Sequence, residues 1–304
     1  MQRRTFIKST LLASGALVMP SVGTAAVAER SYSAPPAADA LFRKSIMWGT
    51  IGMGGSVLEK CRAVKAAGYA GIEPNSHMNR KEVLDALKAT GLVASSVCCS
   101  THWQKQLSDP DAAVREEGME GVRVALEDAG AYGTDAVLVV PGSVSNAVPY
   151  DACWERSTEC LKKLLPAAEK QKVRICIENV WNNFLLSPLE ACRYVDQFNS
   201  PYAGFYFDCG NILVYGWPEQ WIRILGARIG RIHVKEFSRQ KADAEGRVKG
   251  FDAALTEGDV NWAEVMREAR KSYQGQWLTT EQGGAGTPEG LTDLSQRLDR
   301  ILAM

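Results

Sequence analysis

Several features that mark particular classes of protein are missing from this sequence of 304 residues. Its most apolar N-terminal stretch, residues 11–19, is too short to span a bilayer, so we expect no permanent membrane anchor. Lys and Arg number 35, as do Asp and Glu, and no basic run or stripe suggests binding to nucleic acid. No G-x-G-x-x-G motif opens the first helical pattern, so a dinucleotide-binding fold would lack its phosphate-binding loop.

Histidine is scarce, and cysteine shows no pairing motif. His77, His102 and His233 are the only histidines, too few for the multi-imidazole zinc clusters that cleave phosphodiesters. The eight cysteines form no paired CxxC zinc signature and lie mostly inside apolar runs. A chain of this length can bury a full core without cross-links, so we predict buried free thiols and no structural disulfide.

The first 28 residues have the pattern of a twin-arginine export signal. QRRTFIK at residues 2–8 precedes the apolar stretch and a small-residue site, AVA, at residues 26–28. The alternative is a basic patch before a buried helix. We expect cleavage after Ala28, a periplasmic or exported protein, a flexible leader over residues 29–40 and a single catalytic domain over residues 41–304. Cleavage would leave a mildly acidic chain suited to small neutral or metal-chelating substrates.

Apolar strand-like runs alternate with amphipathic helical patterns through the rest of the chain. We predict eight strands: Ser45–Gly49, Gly71–Pro74, Val93–Val97, Ala136–Val140, Val173–Ile177, Gly204–Phe207, Arg231–Val234 and Trp277–Thr280. Most of them lack polar alternation, as in parallel sheets covered by helices. Strict βα repetition therefore predicts an α/β protein with a (β/α)8 TIM barrel. Residues 237–258 read as the longest loop, on the active face.

Four metal-ligand residue types each close one of the late apolar runs. They are Glu178, Asp208, His233 and Glu281. The carboxyl ends of parallel barrel strands meet at one face, so these side chains would converge there. Singly, each has a structural alternative: an ion pair for a glutamate, a turn cap for Asp208 and a satisfied core position for His233. Together they would be a costly cluster of like charge without a cation, so we predict one divalent ion.

The motifs around these residues carry a family resemblance. They are IEN at Glu178, FDCGN at Asp208, HVKE at His233, TTEQ at Glu281 and EGDVNW at residues 257–262. The pattern resembles the sugar phosphate isomerase/epimerase superfamily of xylose-isomerase-like barrels, and within it the tagatose/ketose 3-epimerases and the hydroxypyruvate-isomerase-like proteins. The resemblance covers nearly all of the chain after the leader.

That resemblance implies one Mn²⁺ ion at the four positions, with Mg²⁺, Co²⁺ or Zn²⁺ as alternatives, and Glu178 and Glu281 as catalytic residues that exchange protons with the substrate. Many relatives carry a second histidine three residues after the aspartate. This chain has Asn211 there, which can bind a sugar hydroxyl but cannot carry a proton. This departure from the pattern concerns the substrate contacts and leaves the four metal-ligand positions unchanged.

The function expected from the sequence is an exported metal-dependent isomerase or epimerase that moves a proton through a metal-stabilised enediolate. A lyase or hydrolase acting on 3-oxo-glycosides and a non-catalytic sugar-binding relative are the alternatives, and assembly into a homo-oligomer is left open. Five residues at strand ends are expected to contact the carbohydrate: Trp48, Glu73, His102, Asn211 and Lys235. Structural roles for Glu73 and His102, and an apolar rim containing Trp48, are the competing interpretations.

Overall fold

The computed structural model describes residues 41–304, so the predicted signal peptide and leader lie outside the described residues. The strands are β1 Arg43–Met47, β2 Gly71–Glu73, β3 Val93–Ala94, β4 Val97–Cys98, β5 Ala136–Val139, β6 Arg174–Glu178, β7 Ala203–Asp208, β8 Ile229–Val234 and β9 Trp277–Thr280. The α-helices are α1 Val57–Ala66, α2 Arg80–Thr90, α3 Ala112–Tyr132, α4 Tyr150–Gln171, α5 Pro188–Asp196, α6 Cys209–Ile212, α7 Pro218–Leu225, α8 Arg239–Glu245, α9 Trp262–Ser272 and α10 Pro288–Leu302. Short 3₁₀ helices cover Trp48–Thr50, Gly226–Arg228 and Arg247–Asp252.

All neighbouring strands pair in parallel, in the order β3-β2-β1-β9-β8-β7-β6-β5-β4. The Cys98 amide on the edge strand β4 donates to the Pro74 carbonyl just beyond β2, at 2.9 Å, and a parallel bridge joins Asn75 to Cys98. These contacts nearly close the sheet, and helices separate all successive strands except β3 and β4. The predicted TIM barrel is confirmed.

The third predicted strand is two short strands rather than one. Between β3 and β4 the hydroxyl of Ser95 bonds to Ser45 at 2.7 Å and donates to the Ile72 carbonyl at 3.2 Å. The next hydroxyl, on Ser96, donates to the Glu73 carboxylate. The two serine hydroxyls thus add side-chain hydrogen bonds between β3 and β4, and the sheet has nine strands where eight were predicted.

The segment predicted as the longest loop, residues 237–258, contains α8 and the last 3₁₀ helix. The sequence of α8 is too polar for apolar periodicity to predict a helix. The helix is nevertheless capped at its start, where the Ser238 side chain accepts a hydrogen bond from the Lys241 amide. The buried carboxylate of Glu236 holds the end of this segment and the start of α9 in place. It accepts hydrogen bonds from the amides of Thr256 and Val260 and from the indole N–H of Trp262, at 2.8–3.1 Å.

The cysteines are free thiols, seven of them buried and Cys192 half-buried. They fill the core as small apolar side chains. Among residues 41–304, no helix is both long and apolar enough to cross a membrane.

Candidate metal centre and active site

The four predicted ligands come together at the carboxyl end of the barrel. Glu178 ends β6, Asp208 ends β7, His233 is the penultimate residue of β8, and Glu281 directly follows β9. Asp208 and His233 are direct partners in the β7–β8 register. One ligand atom from each of the four residues lies within 4.8 Å of all the others. Parallel pairing of strands that end at similar heights produces this convergence.

The geometry of the ligand atoms fits a cation. His233 Nδ1 lies 3.1 Å from Glu178 Oε1, 3.0 Å from Glu281 Oε2 and 4.0 Å from Asp208 Oδ2. Among the described residues, no aligned hydrogen bond reaches the buried Oδ2 of Asp208 or Oε2 of Glu281. Buried carboxylate oxygens without donors are unfavourable unless a positive charge faces them. The set of three carboxylates and one imidazole is suited to Mn²⁺, Mg²⁺ or Zn²⁺.

Lys235 supplies a positive charge beside the same oxygens. Its Nζ lies 3.1 Å from Asp208 Oδ2 and 2.8 Å from Glu281 Oε2. These are ion-pair distances, although the contacts lack hydrogen-bond alignment at those two oxygens. The strand ends at Val234, one residue earlier, yet Lys235 still lines the cavity above the cluster, as its spacing from His233 predicted.

The carboxyl groups of the metal-free cluster differ in proton affinity. Burial raises the pKa of Glu178 to about 7, and it raises the pKa of Asp208 to about 6 against the lowering effect of Lys235. Burial also acts to raise the pKa of Glu281, but Lys235 and His233 outweigh it and hold that pKa well below its usual value. Burial lowers the pKa of Lys235, whereas Asp208 and Glu281 raise it to a net value above the usual one. Glu178 is therefore the most basic of the three carboxylates.

The predicted substrate contact at Glu73 is corrected by the structure. Glu73 is 0% exposed, and its Oε2 accepts hydrogen bonds from the hydroxyls of Tyr206 and Ser96. Its Oε1 lies 3.1 Å from His233 Nε2. A carboxylate in this position holds the imidazole with its proton on Nε2 and directs Nδ1 towards the carboxylates of Glu178 and Glu281. Glu73 thus contacts the imidazole of this candidate ligand from below and does not line the cavity.

The predicted contact at Trp48 is also corrected. Strand β1 ends at Met47, the chain enters a 3₁₀ helix, and it is Met47 that lines the cavity. The Trp48 ring packs against the core and lies under Lys60 Nζ, 5.3 Å from the ring centroid. The turn into the 3₁₀ helix places the Trp48 side chain beside Lys60 of α1.

The other two predicted contacts do line the cavity, which has a volume of about 250 Å³. His102 is nearly buried, and its Nδ1 accepts a hydrogen bond from the Val140 amide at 3.3 Å. Burial lowers the pKa of His102 to about 4, so the ring is neutral at ordinary pH and its Nε2–H is a donor. Asn211 donates its side-chain N–H to the Asn179 carbonyl at 3.0 Å, and its backbone amide donates to Asp208 Oδ1 at 2.8 Å.

Sequence reasoning missed three residues that position the site. Asn179 holds the end of β7, because its amide side chain accepts from the Asp208 N–H at 3.0 Å and donates to the Asp208 carbonyl at 3.1 Å. Tyr206 and Ser96 hold Glu73. Tyr206 lies two residues before Asp208 and so shares its face of the strand, which was a usable signal. Nothing in the sequence marked Ser96 or Asn179.

Comparison with known proteins agrees with this geometry. Residues 61–300 match the family model of the xylose isomerase-like TIM barrel. L-ribulose-5-phosphate 3-epimerase UlaE of Escherichia coli O1:K1 / APEC is 28% identical over 164 residues, which is 53% of this chain and 57% of that protein. The chain thus matches less than two thirds of this relative's length.

Two solved structures show the same fold at low identity. The apo form of 3-keto-D-glucoside 4-epimerase, YcjR, from E. coli gives a TM-score of 0.73 at 15% identity, over 86% of this chain and 100% of that one. The IOLI protein with a binding zinc atom gives 0.72 at 12% identity, over 86% and 98%. Because the family match extends over most of the sequence, the chain belongs to the xylose isomerase-like TIM barrel family.

Proposed function

We propose that this protein is a divalent-metal-dependent sugar epimerase or isomerase acting on a ketose or a related sugar that carries a ketone. One observation carries the proposal. Two carboxylates from well-separated strands, Glu178 on β6 and Glu281 after β9, meet an aspartate and a histidine at the floor of a small cavity. Two bases on different sides of one cavity can address opposite faces of one carbon.

Glu178, Asp208, His233 and Glu281 would hold the cation. When bound, it would polarise the substrate carbonyl and stabilise the negative charge that develops on its oxygen. A carbon beside a ketone is too weak an acid for a carboxylate without such help.

Glu178 is the better proton acceptor of the two glutamates, because burial raises its pKa to about 7. It removes the proton from the carbon beside the carbonyl. Glu281, on the other side of the cavity, is ionised, and it passes to the opposite face a proton received from the Lys235 ammonium 2.8 Å away, which inverts that carbon. The Lys235 ammonium and the neutral His102 Nε2–H donate hydrogen bonds to substrate oxygens.

The relatives support a ketone-bearing substrate. UlaE is described as acting on L-ribulose 5-phosphate, and YcjR on a 3-keto-D-glucoside. The twin-arginine pattern supports export of this protein, and an exported enzyme meets unphosphorylated sugars. Oxidised glycosides fit that location, which favours a second candidate reaction: elimination of the glycosidic group from a 3-oxo-glycoside after the same proton removal.

Incubation of the manganese-loaded protein in D₂O with a panel of ketoses, aldoses and 3-oxo-glycosides tests the proposal. Deuterium uptake at one carbon with inversion identifies an epimerase, and interconversion of ketose and aldose identifies an isomerase. Release of the glycosidic group identifies the lyase. Binding without deuterium uptake for every sugar in the panel would contradict an enzymatic function.

A further inference from the structure

We propose that Trp103 is a stacking platform for a second sugar ring, so that the substrate is a glycoside whose reacting ring enters the cavity while the next ring stays outside. The inference rests on the proposed function, because it assumes that the reacting ring binds above the Glu178–Glu281 cluster. It names the substrate class of that same site.

The Trp103 ring is open to a ligand, unlike three other tryptophans of the described chain. A cation lies over Trp48, Trp181 and Trp217 in turn: Lys60 at 5.3 Å, Arg247 at 4.4 Å and Arg239 at 5.4 Å from the ring centroids. Trp103 makes an edge contact with His102, with centroids 5.5 Å apart and planes at 84°. Within residues 41–304, no other ring and no cation stacks on it.

Trp103 also stands at the boundary between cavity and solvent. His102 is 6% exposed and Trp103 is 48% exposed, and both line the cavity. A cavity of about 250 Å³ lies at the small end of the range for ligand sites, about 300–1,000 Å³, so it suits one monosaccharide better than two linked rings. A second ring joined to the bound sugar must leave through the mouth, where half of the indole surface is exposed.

The turn that carries Trp103 is held firmly. The amides of Gln104 and Lys105 donate to the Thr101 carbonyl at 3.1 and 2.8 Å. Helix α3 packs against this turn through Gly118 and Gly121. A Cβ at Gly118 would lie 2.3 Å from the Lys105 carbonyl oxygen, and one at Gly121 would lie 1.9 Å from the Thr101 hydroxyl oxygen.

Glycine is unfavourable inside a helix relative to alanine. The close contact between this turn and α3 therefore lowers the stability of the helix. An indole fixed in this way loses little conformational entropy when a ring stacks on it. Its negative face attracts the partly positive C–H bonds on the apolar side of a pyranose ring. The platform therefore suits an uncharged sugar.

Two probes that differ by one ring test the inference: methyl 3-oxo-α-D-glucopyranoside and 3-oxo-maltose. Their dissociation constants are measured by titration calorimetry with the manganese-loaded wild type and with Trp103→Ala, Trp103→Phe and Trp217→Ala. The last variant is a matched control, because Trp217 is 53% exposed but does not line the cavity. Thermal melting establishes that each variant is folded.

We expect the wild type to bind 3-oxo-maltose about threefold to tenfold more tightly than the one-ring probe, the range for one aromatic stacking contact. Trp103→Ala should weaken binding of 3-oxo-maltose by about that factor more than binding of the one-ring probe, so that the preference disappears. Trp103→Phe should keep part of the preference, and Trp217→Ala all of it.

Equal affinity of the two probes for the wild type would overturn the second-ring platform. An equal loss for both probes in Trp103→Ala would also overturn it, since the indole would then contact the reacting ring. If neither probe binds the wild type, the assumed 3-oxo-sugar substrate is wrong and the inference fails with it. The three results are distinguishable.

Discussion

The replacement of Glu73 by glutamine gives a sharp test of how the metal centre is built. The carboxylate accepts hydrogen bonds from two hydroxyls, on Tyr206 and Ser96, and lies 3.1 Å from His233 Nε2. Glutamine has nearly the same shape, and its amide N–H₂ can donate to the two hydroxyl oxygens while its carbonyl still accepts from the imidazole. Glu73→Gln therefore removes the negative charge behind His233 and little else.

The expected effect is on metal affinity. A hydrogen bond to an ionised acceptor is about twice as strong as a neutral one, and loss of such an outer partner weakens metal binding by about 10- to 100-fold. This corresponds to about 1.4 to 2.7 kcal/mol of binding free energy. Buffered Mn²⁺ titrations of the two proteins measure the change, and ¹⁵N chemical shifts report whether the proton of His233 remains on Nε2.

Asp128→Asn is the matched control. Asp128 is also buried, its ion pair with Arg80 at 2.8 Å lies in the α2–α3 region, and its substitution likewise exchanges a carboxylate for an amide. We expect it to lower the melting temperature without changing Mn²⁺ affinity. If Glu73→Gln bound Mn²⁺ within about twofold of the wild type, with an unchanged histidine tautomer, the idea that Glu73 acts through His233 would be refuted.

Four further predictions concern the same site and the N-terminus. Asp208→Ala and His233→Ala should each lose most bound metal by elemental analysis, and unchanged metal content in both would contradict the ligand assignment. Glu178→Gln, once shown to retain metal, should abolish inversion of the substrate carbon, because an amide cannot accept the proton; inversion at the wild-type rate would exclude Glu178 as the base. Added Mn²⁺ should raise the melting temperature more at about pH 8 than at about pH 5, since cation binding needs ionised carboxylates. Burial raises the folded-state pKa of Glu178 to about 7 and of Asp208 to about 6. In the metal-free protein, these two groups therefore stabilise the fold at low pH, where they are protonated. This stabilisation is lost as the pH rises through the two values. An equal shift at both pH values would contradict this linkage. Replacement of Arg3 and Arg4 by lysine should keep the precursor in the cytoplasm with its metal, and normal export in a cell fractionation assay would refute the twin-arginine assignment.

The convergence of the four candidate metal ligands could be predicted from the sequence because of one geometric rule. Each of Glu178, Asp208, His233 and Glu281 ends or directly follows an apolar run, and parallel strands bring such ends to one face. The β7–β8 register, which pairs Asp208 with His233, bears out that expectation at the level of single residues. The helices were predictable wherever apolar periodicity was strong, but α8, which is mostly polar, was not.

The roles of Glu73 and Trp48 could not be predicted from the same rule. Both follow apolar runs, as the ligands do, yet Glu73 faces His233 and Trp48 turns away from the cavity. Hydrogen bonds between residues 160 and 133 positions apart, to His233 and Tyr206, decide the role of Glu73. The residue at which β1 ends decides the role of Trp48. A shift of one residue along a strand moves a side chain to the opposite face, so the sequence alone does not fix the direction of the Trp48 ring.

The barrel and the kind of metal site were predictable from the amino-acid pattern, because strand periodicity and residue chemistry are local properties that repeat along the chain. Which buried carboxylate contacts His233, and which tryptophan is exposed beside the cavity, was decided only by the tertiary structure. Those roles depend on contacts between residues far apart in the sequence. Arg247 covers the ring of Trp181, and the glycines of α3 pack against the turn that carries Trp103. Contacts of this kind exist only once the whole barrel has assembled.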